Sequence, residues 1–81
     1  MWVRSQDKKK LLKVEYVRIL NWADDTYEIC DNNKISIATY STEEKALKVL
    51  DMIQEHIKSM FVGTGMFMGY PFQMPQDSEV E

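Results

Sequence analysis

Residues 41–60 read STEEKALKVLDMIQEHIKSM, and this stretch decides the fold class. Ser41 followed three places on by Glu44 fits a capping box, in which the hydroxyl accepts from a first-turn N–H and the carboxylate reaches back to the serine N–H. From there Ala46, Val49, Leu50, Ile53, Ile57 and Met60 recur in steps that keep them on one apolar stripe. Glu44 and Lys48 stand four apart in the favourable order. The pattern predicts one helix from residue 42 to about residue 60, ~28 Å long at ~1.5 Å per residue. Such a helix is apolar on one side only, so it must lie on another element.

The rest of the chain reads as that other element. In MWVRSQ (1–6), Met1, Val3 and Ser5 would face one way and Trp2, Arg4 and Gln6 the other. Residues 7–10 read as a polar turn. Residues 11–22 read as a longer strand in which Leu12, Val14 and Tyr16 share a face; the apolar parity slips at Val17 and Ile19, and a β-bulge near Tyr16-Val17 would account for it. Residues 26–30 and 35–40 read as two further strands, separated by Asp31-Asn32-Asn33-Lys34, a turn signal because Asn and Asp bond their own backbone. Residues 70–74 read as a short edge strand, confined to an edge by Pro71 and Pro75. Short connections favour antiparallel neighbours. The expected fold is α+β: a four- to five-stranded, mainly antiparallel sheet, a meander, with one long helix packed on one face. Residues 1–76 form a single domain in this reading, and 77–81 an acidic, frayed C-terminus.

Bulk composition narrows the function classes. A chain of 81 residues has a thin core, and oligomerisation is one remedy for that. The formal charge of -3 argues against a dedicated nucleic-acid binder. No apolar run approaches the ~18–20 residues that span a membrane, and the N-terminal residues lack the apolar core of a secretory signal. One cysteine, Cys30, leaves no intramolecular disulfide and fits a reducing cytoplasm. With His56 the one histidine, a metal site of Cys and His ligands is not expected, and no cofactor is implied.

The segment FVGTGMFMGYPFQM (61–74) raises a separate problem, since Phe61, Val62, Met66, Phe67, Met68, Tyr70, Phe72 and Met74 are all large and apolar. Burying each is worth ~1.5–3 kcal/mol, and left in water they would invite aggregation. One solution is intramolecular, the tail adding an edge strand beside residues 2–6. Neighbours in an extended chain point opposite ways, so Met66, Phe67 and Met68 cannot all face one core. These three with Met74 form the expected oligomer or partner interface; methionines suit a surface that must repack. That interface would serve a homo-oligomer, or dock the chain on a different protein.

Chemistry-bearing patterns are sparse. Gly63-Thr64-Gly65 followed by Gly69 is not a dinucleotide fingerprint, because it follows a helix instead of joining a strand to one. Cys30 has no activating base in the sequence, and His56 sits at the boundary of the helix stripe. Catalysis is therefore not expected. Lys8, Lys9, Lys10, Lys13 and Arg4 make a positive patch on an acidic chain. Trp2, Arg4 and Gln6 on one face offer an aromatic plane, a guanidinium and an amide, which suits stacking on a base and gripping a phosphate. The competing reading has Trp2 covering core and Arg4 paired with an acid.

Three blocks, MWVRSQDK, YSTEEKALKVLDMIQEHI and FQMPQD, resemble a family of short, mostly uncharacterised proteins of Firmicutes and their phages and prophages. Its members show a Trp-x-Arg-Ser-Gln opening, a variable β-region, a Tyr-Ser-Thr/Ser-Glu-Glu-Lys-Ala helix start and a closing Gln-Met-Pro. The residues 63–69 are not part of that pattern. The resemblance implies a cytoplasmic setting in the bacterial host and action by binding, including counter-defence by sequestering a nucleotide-like signal; the alternative is an interaction module that docks on a host or phage protein through its Met/Phe-rich tail. The expected ligand site combines Trp2, Arg4, Gln6, Tyr70 and Phe72 in a pocket at an oligomer interface.

Overall fold

The computed structural model describes residues 1–21, 25–60 and 71–80. The apolar stripe forms the expected helix, α1, spanning Glu43–Met60. It buries Ala46, Val49 and Ile53 and half-buries Leu50, while Ile57 stays exposed. The cap lies one residue later than the Ser41–Glu44 spacing predicts. Thr42 Oγ1 accepts from Lys45 N at 3.1 Å, and the Thr42 carbonyl accepts the first helical bond from Ala46. Ser41 is drawn elsewhere: its N–H and Oγ both donate to the Asp77 carboxylate, at 2.8 and 3.0 Å.

The strands are β1 (Trp2–Arg4), β2 (Leu11–Lys13), β3 (Val17–Asn21), β4 (Tyr27–Asp31), β5 (Ser36–Tyr40) and β6 (Phe72–Gln73). With α1 they make an α+β fold, but among the described residues in two sheets of three strands, ordered β2-β1-β6 and β3-β4-β5. The second is the expected antiparallel meander. The stretch expected as one strand, 11–22, is divided between the sheets. Val14 is buried and its N–H still bonds the Met1 carbonyl, whereas Tyr16 is 53% exposed and the Glu15 N–H turns to the Asn32 side chain. The parity slip at Tyr16-Val17 is thus the passage from one sheet to the next, not a bulge. The irregularity lies in β4–β5 instead: Ile29 faces Ala38 and Cys30 faces Ser36, leaving Ile37 as an extra residue. Two adjacent residues, Ile37 and Ala38, can therefore both be buried.

The Asp31–Lys34 turn forms as its residues dictate. Asp31 Oδ1 accepts from the N–H of Asn33 and of Ile35, and Lys34 takes a left-handed φ of 65°.

The tail folds back beside the first strand. β6 pairs parallel to β1, with Val3 opposite Phe72 and Arg4 opposite Gln73, and Met74 N continues the ladder to the Arg4 carbonyl at 3.0 Å. The core between sheets and helix is centred on Val3, Ile29, Tyr40, Val49 and Met74. Residues 77–80, part of the segment expected to fray, are instead held. Asp77–Glu79 form a single 3-10 turn, Val80 is buried, and Lys45 Nζ lies 3.1 Å from Asp77 Oδ2. The backbone N–H of Ser41 and the Lys45 ammonium hold the Asp77 carboxyl below its ordinary value of 3.8.

Two outcomes follow from this packing. Met74→Ala should cost ~2–5 kcal/mol in urea unfolding, the range for truncating a fully buried methionine. Asp77 has a native pKa below its unfolded one, so its contribution is complete above the ordinary value of 3.8 and is lost as the pH falls through the lowered native value. A urea midpoint followed from pH 6 down to pH 2 should accordingly fall less steeply in Asp77→Asn than in the parent chain.

Candidate functional site

β1 is the middle strand of its sheet, so its alternate residues divide cleanly between core and surface. Val3 is buried; Trp2, 49% exposed, and Arg4 face outward. The register then fixes their neighbours. Trp2 stands opposite Lys13, and Arg4 stands between Leu11 on one side and Gln73 on the other. Leu11 is 56% exposed. The outer face of this sheet thus carries one indole, one aliphatic side chain, one amide and two cations, with no carboxylate among its paired positions.

The turn that joins β1 to β2 is tightly bonded. Ser5, buried, donates its hydroxyl to Asp7 Oδ1 and accepts from Lys10 N at 3.0 Å, while its own N–H bonds the Lys10 carbonyl. Asp7 Oδ1 also accepts from Lys9 N at 2.9 Å. The Ser5 hydroxyl and the Lys9 N–H together hold the Asp7 carboxyl below the usual carboxylate range. Lys8 completes the turn with a left-handed φ of 67° and an N–H bonded to the Ser5 carbonyl. Its carbonyl accepts from Arg4 Nε at 3.0 Å. The guanidinium is therefore tethered through Nε. Its bulk remains exposed beside Lys8, Lys9 and Lys10.

Several expected site residues are placed otherwise. Gln6 is not a free amide: Nε2 donates to the Thr39 and Pro75 carbonyls, both at 3.1 Å, and Oε1 accepts from Thr39 N at 3.0 Å. It ties the two sheets together and is committed to structure. Phe72, paired with Val3, faces the core and not the Trp2–Arg4 surface, and its ring meets His56 edge-on at 5.3 Å. Met74 is fully buried in the chain's own core, so it is no interface residue. Tyr70, Met66, Phe67 and Met68 lie outside the described residues. Cys30 is buried, which raises its thiol pKa and leaves it a poor nucleophile. Of the five residues expected to bind a ligand, the structure brings Trp2 and Arg4 together on one surface. The polar turn expected at residues 7–10 is present, but its bonding through Ser5 and Asp7 and its hold on Arg4 were missed by sequence reasoning. The Ser5-x-Asp7 pair was its one visible signal, since lysine rarely takes a left-handed φ.

Neither a protein-family model, nor a curated protein, nor a solved structure matches the chain. Among the described residues no helix is long and apolar enough to cross a membrane.

The two faces of β1 and β6 should respond differently to truncation. Trp2→Ser should shift unfolding free energy by less than ~1 kcal/mol, whereas Phe72→Ala should cost ~3–5 kcal/mol. Paired urea titrations would measure both; a large loss at Trp2 would place it in the core.

Proposed function

We propose that this protein is a non-catalytic binding protein of phage or prophage origin that captures a nucleotide-like anion on the outer face of the β2-β1-β6 sheet. The observation that carries the reading is Trp2, half exposed, beside Arg4 and opposite Lys13. An exposed indole on a sheet surface offers a stacking platform for a base, worth ~1–3 kcal/mol per stacked ring. Arg4 follows two residues along the same strand, with roughly 7 Å between the two backbone positions, about the reach from a base across its sugar to a phosphate. The lysines of the adjoining turn add attraction in a chain whose total charge is -3.

A sheet face is open on one side, and small-molecule sites generally enclose most of the ligand. The pocket would therefore be closed by a second copy of the chain, which makes the active form a homo-oligomer. Sequestration in the host cytoplasm of a signal used in defence is the biological role that fits a small binding protein with these groups. The buried thiol of Cys30 and the engagement of His56 with Phe72 both favour binding over turnover.

Calorimetric titration with a panel of linear and cyclic adenine and guanine nucleotides tests the reading. At least one should bind, with quenching of Trp2 fluorescence and an affinity that weakens as salt is raised. Arg4→Ala should lower that affinity ~10–100-fold, as for loss of a charge-assisted hydrogen bond, while sedimentation behaviour is unchanged. Retained affinity in Arg4→Ala would overturn the site.

A further inference from the structure

We infer that Lys8 is a positioning residue for Arg4 that acts through its main-chain carbonyl and not through its ammonium group. The inference rests on the reading of the outer β1 face as an anion site. Lys8 opens a run of three lysines, where its charge would be the obvious contribution. The geometry points elsewhere. Its left-handed φ of 67° is a conformation disfavoured for any residue with a Cβ. The turn imposes it through five bonds: Ser5 N to Lys10 O, Lys8 N to Ser5 O, Lys10 N to Ser5 Oγ, and Ser5 Oγ and Lys9 N to Asp7 Oδ1. What that conformation achieves is the aim of one carbonyl, which accepts from Arg4 Nε.

The consequence for binding is specific. A free arginine side chain loses much of its rotamer freedom when it grips a ligand. Arg4 is already held at Nε, so part of that loss is taken during folding and binding is correspondingly stronger. With Nε occupied, an oxyanion is left the Nη hydrogens, which form a two-pronged donor at the end of the guanidinium. Phosphate, with several equivalent oxygens, suits such a donor pair.

The test compares Lys8→Gly with Lys8→Pro in the full chain. Glycine loses the ammonium but accepts a left-handed φ without strain; proline loses it too, forces φ near −65° and removes the N–H that bonds Ser5. The first readout needs no ligand. In 15N NMR spectra the Arg4 Nε–H should exchange slowly with water in the parent chain and in Lys8→Gly, and rapidly in Lys8→Pro. The second is titration with inorganic phosphate followed at the Arg4 side-chain signals. Affinity should stay within about threefold in Lys8→Gly and fall about tenfold in Lys8→Pro, near the ~1.4 kcal/mol that a tenfold change represents.

Fast Arg4 Nε–H exchange in the parent chain would overturn the inference by itself, whether or not Lys8→Pro folds. So would a loss in Lys8→Gly as large as that in Arg4→Ala, because it would assign the contact to the ammonium. Failure of the broader reading looks different: phosphate would leave the parent chain's Arg4 signals unmoved, while the exchange readout would still decide the role of Lys8.

Discussion

The side-chain amide of Gln6 is the constraint on which the two-sheet arrangement depends. β1 ends at Arg4, yet its direction continues toward the free edge of β5, where an extra residue at Ile37 breaks the regular ladder. Gln6 closes this junction twice over. Its backbone N–H bonds the Ile37 carbonyl at 2.9 Å, and its amide then pairs with both the N–H and the carbonyl of Thr39. A primary amide presents a donor and an acceptor side by side, as a peptide group does, so it can stand in for a strand residue. The edge of β5 is thereby satisfied at Thr39 without a fourth strand, and an open edge that could recruit foreign chains is covered there.

The same junction organises the C-terminal segment. The Pro75 carbonyl accepts from Gln6 Nε2 and from the Tyr40 hydroxyl at 2.7 Å, and Gln76 and Gln73 return bonds to the carbonyls of Gln6 and Ser5. Burial of that phenol raises the Tyr40 pKa, keeping it a neutral donor. Asp77 then reaches the start of α1 through Ser41 and Lys45. Sheet, tail and helix are thus linked by polar bonds around a core that is thin for reasons of size alone. Among the described residues every buried side-chain nitrogen and oxygen has a hydrogen-bond partner, which is what lets so small a molecule carry this much polarity inside.

How much of this was legible in the sequence depended on the range of the interaction. The helix was legible because its stripe repeats over several turns, and the alternation of Trp2, Val3 and Arg4 because a period of two is unambiguous over so short a strand. The return of the tail to β1 was legible from its apolar content and its prolines. The division of 11–22 between two sheets was not, because a strand that crosses between sheets and a strand with a bulge give the same parity slip. Gln6 was misassigned for a related reason. Alternation put it on the face of Trp2 and Arg4, and alternation carries no information about a partner 33 residues away. The helix cap was displaced by one residue for the same cause, since Asp77 competes for Ser41 from the far end of the chain.

The placement of β1 at the centre of its sheet explains how so small a domain can leave one face free of packing duties. Val3 and its inward partners Leu12 and Phe72 serve the core, and the junction at Gln6 fixes where the strand ends. Neither task involves the outward positions, so Trp2, Arg4, Leu11 and Lys13 are not required by the packing below them. A half-exposed tryptophan at such a position gains little from folding, and a cation beside it gains nothing from the core. The turn that follows nevertheless adopts a disfavoured left-handed residue and bonds it so as to hold that cation in place. Order imposed on a surface side chain without return to the core is the feature on which the proposed anion site rests.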